Sequence, residues 1–242
     1  SLLKEGCVTA YIDKAYPSNL AYKPQFISNN YKEGRKVIST IEDELLSCEE
    51  FFISVAFITM GGITPLLQTL KDLEKRGIPG KILTTDYQNF SEPRALRKLA
   101  KLRNITLKMY RTNENHEGFH TKGYIFKNQE LYRIIVGSSN LTLRALTKNK
   151  EWNTRVVSTE QGEYAEELMT EFPDLWNSQY TVAFEEFINE YALNYRVIQK
   201  QREIAKRQRI PSLEQYKMLP NTMQLSFIAN LQKICTAGES KA

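Results

Sequence analysis

Hydrophobic positions along the chain fall into two rhythms. Over KEGRKVISTIEDELLSC, Val37, Ile38, Ile41, Leu45 and Leu46 recur at helical spacing. FFISVAFI (51–58) follows, continuously apolar and rich in β-formers, the pattern of a strand buried on both faces. Gly61 and Gly62 break it, and ITPLLQTLKDLEKRG predicts a helix ending at Gly77. KILTTD (81–86) predicts a strand, SEPRALRKLAKL a helix capped by Ser91 with Pro93 in its first turn, and ITLKMYR (105–111) a third strand.

The rhythm then changes. GYIFKN (123–128) and YRIIVGSS (132–139) predict two strands joined by a tight Asn-Gln-Glu turn, and LTLRALTKN (141–149) a short helix. EWNTRVVST (151–159) predicts another strand, and a helix starts near Glu163. From Val182 to Arg209 the pattern is one long helix that grows basic through Lys200, Arg202, Lys206, Arg207 and Arg209 before Pro211 stops it. The first thirty residues give only a weak strand signal. Buried strands alternating with covering helices define an α/β fold with helices on both faces of the sheet. A C-terminal helical extension follows it.

Composition narrows the class. A chain of 242 residues with 41% apolar and 25% charged residues builds an ordinary core, and a net charge of +5 is compatible with a polyanionic partner. Cys7, Cys48 and Cys235 lie far apart without metal-ligand spacing, so the expectation is reduced structural cysteines, a cytoplasmic location and no metal site. No apolar run approaches the ~20 residues of a membrane span.

The candidate chemistry lies between residues 118 and 155. The two histidines of the sequence are His116 and His120, and His120 precedes Lys122 by two positions. In a strand those side chains share a face, which sets an imidazole nucleophile beside a cation able to neutralise phosphoryl oxygens. Gly137-Ser138-Ser139-Asn140 ends an apolar strand and runs into a helix, where small residues permit close backbone approach and Asn140 and Ser139 can donate to a phosphate. Glu151 starts the next strand and could fix the imidazole tautomer. Taken singly, each has a plain structural alternative: a polar surface strand, a turn with Asn140 as N-cap, a solvated strand-edge carboxylate.

Together they resemble the HKD motif of the phospholipase D superfamily: HTK (120–122), then eighteen residues to Asn140, then eleven to Glu151. The wording GSSNLT followed by Asn149 and Glu151 is similar to its single-motif bacterial nucleases and restriction-type endonucleases. One departure is Lys127, which stands where the motif usually carries an Asp, and this speaks against a lipase-like member. The resemblance implies a phospholipase D-like mixed sheet over residues 1–180. It also implies a metal-independent phosphodiesterase in which His120 becomes phosphorylated, Lys122 and Asn140 hold oxygens and Glu151 orients His120. With one motif per chain, the second histidine would come from a homodimer partner. Ser138, Ser139, Arg144 and Lys148 are the expected substrate contacts, and Lys150, Lys127 and Arg133 add a basic rim, so the expected partner is nucleic acid, DNA first, and no membrane.

Beyond a connecting helix (181–209), residues 210–242 carry LPNTMQLSFIANLQ, which resembles the entry to a DEAD/DEAH-type superfamily 2 helicase, with Gln224 as an adenine reader. No G-x-x-x-x-G-K-[ST] is present, so ATP is expected as a cofactor only of a helicase core in a longer protein. An ordinary helical hairpin is the alternative for this tail, and a catalytically silent DNA-binding and dimerisation module, or a phospholipase-type phosphodiesterase, the alternative for the domain.

Overall fold

The computed structural model describes Ala15, residues 22–112 and residues 118–207. His116, Cys7, Cys235, Gln224 and the helicase-like segment 210–242 lie outside the described residues. The chain divides into two units, Ser1–Tyr195 and Arg196–Ala242. In the second, residues 196–207 are helix.

One eight-stranded sheet organises the first unit. β1 (Gln25–Ile27) is a short edge strand, and α1 (Val37–Ser47) leads into β2 (Glu50–Val55). A short helix, α2 (Met60–Ile63), a 3₁₀ turn and α3 (Leu67–Arg76) lead to β3 (Gly80–Thr85). α4 (Pro93–Ala100) then leads to β4 (Ile105–Tyr110). β2, β3 and β4 pair in parallel, as helical crossovers require. β5 (Lys122–Asn128) and β6 (Leu131–Gly137) form a hairpin, with Gln129 at φ 54 in its turn. After α5 (Leu143–Thr147), β7 (Asn153–Thr159) continues the antiparallel half, and α6 (Glu163–Trp176) follows. The spatial order is β1-β7-β6-β5-β2-β3-β4-β8, with β8 formed by Thr181–Ala183.

The alternation of β2 explains the two layers. Phe51, Ile53 and Val55 join Tyr124, Phe126 and Ile135 beneath Ile41 and Leu45 of α1, Leu73 of α3 and Leu96 of α4. Phe52 faces the other way, with Leu83, Ile125 and Ile134, toward Ala165, Phe172 and Trp176 of α6. Helices therefore cover both faces, as expected. Gly77 terminates α3 in the left-handed region at φ 70, also as expected.

Three local expectations are corrected. Ser91 does not cap α4: it is fully buried, and its hydroxyl accepts from Ile58 N at 3.0 Å, while Glu92 takes the N-cap position. Asn140 does not cap α5 either, because Thr142 does so, accepting from Ala145 N. The helix expected from Val182 starts later. Thr181–Ala183 form β8, which pairs with Lys108–Tyr110 along the open edge of β4, and α7 (Phe184–Arg207) begins after it. Phe187, Ile188 and Tyr191 of α7 are buried in the first layer. Among the described residues no helix is long and apolar enough to cross a membrane.

Candidate active site

Strand register brings the candidate residues to one edge of the sheet. Val55 pairs with Lys122, Gly123 with Val136, and Gly137 with Asn153. The ends of β2 and β6 therefore meet the beginnings of β5 and β7 there. Backbone bonds join the loops just beyond: Leu141 N donates to Phe57 O and Thr59 N to Leu141 O, both at 3.1 Å, and Ser138 N donates to Trp152 O at 3.0 Å. Two glycines permit this closeness. A Cβ on Gly62 would lie 2.0 Å from Leu141 O, and one on Gly137 would lie 2.3 Å from Trp152 O.

His120 immediately precedes β5, exposed, with its ring edge-on to Tyr87 at a centroid distance of 4.7 Å. Tyr87 belongs to the loop after β3, where Gln88 and Asn89 both adopt positive φ. Partial burial, and then the Lys122 charge, hold the His120 imidazole below its ordinary 6.5. At neutral pH it is therefore unprotonated, the form that can attack phosphorus. Lys122 Nζ donates to His120 O at 2.6 Å. Burial lowers the Lys122 pKa, and the Glu151 charge opposes that shift.

The GSSN segment divides its labour. Asn140 Oδ1 accepts from Phe57 N at 3.1 Å, which leaves Nδ2 as the donor available to a phosphoryl oxygen. Ser139, expected to face substrate, is fully buried, and its hydroxyl accepts from Asn153 Nδ2 at 2.9 Å. Its carbonyl accepts from Tyr124 Oη at 2.9 Å. Ser139 thus anchors the turn from inside. Ser138 is exposed, and its hydroxyl hydrogen-bonds Glu151 Oε2 while accepting from Trp152 N at 3.1 Å. Glu151 Oε1 accepts from Asn149 Nδ2 at 3.4 Å. Among the described residues Glu151 and His120 share no hydrogen bond, and the cation that feels the Glu151 carboxylate is Lys122.

Of the basic side chains, Arg144 and Lys148 are exposed on and just after α5, and Lys150 is exposed beside Glu151. Lys127 and Arg133 do not belong to this rim. Lys127 is five residues down β5 and pairs with Glu160 at 2.5 Å. Arg133 lies 3.6 Å from Glu44, a buried carboxylate of α1 that Arg155 also meets at 2.6 Å. Both charges are met by carboxylates within the fold. Tyr87, Tyr124 and Asn153 were not singled out by sequence reasoning. Asn153 carried a faint signal, since an amide in the alternating NTRVVST strand falls at an inward position.

His120, Lys122, Asn140 and Glu151 thus come to one edge of a mixed α/β sheet, as the phospholipase D resemblance anticipates. The chain belongs to the phospholipase D superfamily of phosphodiesterases: residues 43–176 match the family described as cardiolipin synthase, PLD-like domain. The fold recurs in the phospholipase D family member Nuc from Salmonella typhimurium, at TM-score 0.53 and 21% identity over 67% of this chain and 99% of that one. NucT from Helicobacter pylori is similar at TM-score 0.53 and 17% identity, with the same coverage of 67% and 99%. Phosphatidylserine synthase from Haemophilus influenzae Rd KW20 is similar at TM-score 0.53 and 17% identity, over 79% of this chain and 46% of its own. At these identities the likeness is one of fold. No curated protein matches the chain in sequence.

Proposed function

We propose that this chain is a metal-independent nuclease that cleaves nucleic acid through a phosphohistidine intermediate. The observation that carries the reading is the exposed His120 beside Lys122 at an open strand edge, with Lys122 Nζ held on the His120 carbonyl. A nitrogen of His120 attacks phosphorus, the P–O bond to the leaving oxygen breaks, and Lys122 and Asn140 Nδ2 stabilise the charge on the non-bridging oxygens. A second histidine, His120 of another copy across a two-fold axis, takes up a proton beside the negative charge of the bound phosphodiester and passes it to the leaving oxygen. Water then hydrolyses the P–N bond and regenerates the imidazole. Glu151 balances the Lys122 charge. The exposed Arg144, Lys148 and Lys150 favour a phosphate backbone over a lipid headgroup. Segment 210–242 fits the entry to a helicase core in a longer cytoplasmic protein.

The test is cleavage of single- and double-stranded DNA in excess EDTA, with His120→Ala alongside and sedimentation of both proteins. Cutting that survives EDTA and disappears in the variant, by a dimer, supports the reading. Undiminished cutting by His120→Ala removes His120 as nucleophile. Binding without cutting by either protein makes the chain a silent DNA-positioning module.

A further inference from the structure

Trp152 directly follows Glu151, yet it is 73% exposed. Its ring meets that of Phe26, 63% exposed, edge-to-face with centroids 5.9 Å apart. Register places them on one side of the sheet, because Phe26 pairs with Thr154, two residues beyond Trp152. Val136, which pairs with Thr154 from the other strand, is exposed beside them. The core on this side collects its residues under α6, and neither Phe26 nor Trp152 belongs to it. Two large aromatic rings lie exposed side by side, the kind of patch that marks an interaction surface.

Their surroundings are basic. Lys148 and Lys150 are exposed just before Trp152 in the chain. Phe26 also lines an open groove of about 550 Å³ beside β1, which Lys23 and Lys36 border. Asp43 lines the same groove, and Arg35 there is paired with Glu33. Exposed rings interleaved with free ammonium groups are the arrangement that holds an unpaired nucleic-acid strand, since every base has a stacking face and every linkage a charge. The platform is tied to the chemistry by two bonds between Trp152 and Ser138: Trp152 N donates to Ser138 Oγ, the hydroxyl that holds Glu151, and Ser138 N donates to Trp152 O. Trp152 and His120 leave the sheet at the same edge, two strands apart, with Trp152 toward the α6 face and Lys122 toward the α1 face.

We propose that Trp152 and Phe26 form a stacking platform for an unpaired base flanking the scissile phosphodiester, with Lys23, Lys36, Lys148 and Lys150 following the backbone. The inference rests on the nuclease reading and deepens it: the substrate is single-stranded at the point of cutting.

The experiment measures binding without turnover, using the full chain with His120→Ala. The probes are a single-stranded DNA oligomer, the same oligomer made abasic throughout, and a duplex of equal length. The sequence has two tryptophans, and Trp176 is 8% exposed, so a change in emission reports Trp152. The natural single strand is expected to quench that emission and bind at least about fivefold more tightly than the abasic oligomer. Trp152→Ala should remove that preference and Trp152→Phe restore most of it, with the thermal transition unchanged as the check on folding. Equal affinity for natural and abasic strands overturns the proposal. So does a Trp152→Ala protein that loses its dimer on sedimentation but keeps its base preference, which would assign the rings to a second copy. Quenching without any cutting by the parent sinks the nuclease reading alone, and cutting without quenching sinks this platform alone.

Discussion

Replacing Tyr124 with Phe removes one oxygen from the interior and tests whether the GSSN turn is held from beneath. Tyr124 is fully buried in β5, two residues past Lys122, and its hydroxyl donates to Ser139 O at 2.9 Å. Burial, and then the Glu151 charge, push its ionisation far above the usual phenol range, so it remains a donor at every working pH. The variant leaves almost no cavity. It does strand the carbonyl of Ser139, a residue with no exposure of its own. An unsatisfied buried acceptor costs about 1–3 kcal/mol, and in a chain of this size each kcal/mol lowers Tm by roughly 2–4 °C. The turn keeps its second anchor, Asn140 Oδ1 on Phe57 N, so the site loosens without dissolving. Small displacements of positioned groups can lower turnover by as much as about 100-fold, and kcat should fall further than KM rises. Urea unfolding at neutral pH reads the first effect and steady-state cleavage the second. An unfolding free energy within about 0.5 kcal/mol of the parent, with kcat unchanged, would refute the claim that Tyr124 supports the turn.

Three further outcomes follow from the same edge. Since the attacking imidazole must be unprotonated and its pKa lies below 6.5, activity should persist as pH falls through 6.5 and fail only below it. In Lys122→Met the His120 titration, read by NMR because Lys122 also serves turnover, should move part of the way back toward 6.5, since the Lys122 charge is the smaller cause after burial, and an unmoved titration would count against the coupling. Gly137→Ala forces a methyl to within 2.3 Å of Trp152 O and 2.6 Å of Asn153 Cα. Backbone must move, so stability should drop by about 1–3 kcal/mol in urea unfolding, together with activity as Glu151 shifts; a neutral variant would show that β6 and β7 need no such close approach.

Those parts of the molecule that depend on local pattern were legible in the chain. FFISV is apolar at every place but one because β2 is covered on both faces. The spacing from Lys122 through Asn140 to Glu151 carried the superfamily. What escaped was set by partners distant in sequence. Ser91 has the local look of a helix cap, but Ile58, 33 residues earlier, claims its hydroxyl. Val182 fits a helical run, yet the open edge of β4 draws it into a strand. Lys127 and Arg133 look like free surface charge until Glu160 and Glu44 are placed beside them. Tyr87 comes to His120 only because β2 and β3 are parallel neighbours and their following loops share an edge.

The pairing of β1 also bears on how the chain is made. Asn153 Nδ2 donates to Ile27 O across 126 residues of sequence. During synthesis β1 emerges before its partner strand, which at ~5–20 residues per second follows about 6–25 s later. Throughout that interval the first strand has no sheet to join, and Phe26 is an unsheltered ring on a growing chain. The seam between β1 and β7 is therefore among the last to close on the ribosome, and a chaperone that binds exposed aromatic segments has its opening there.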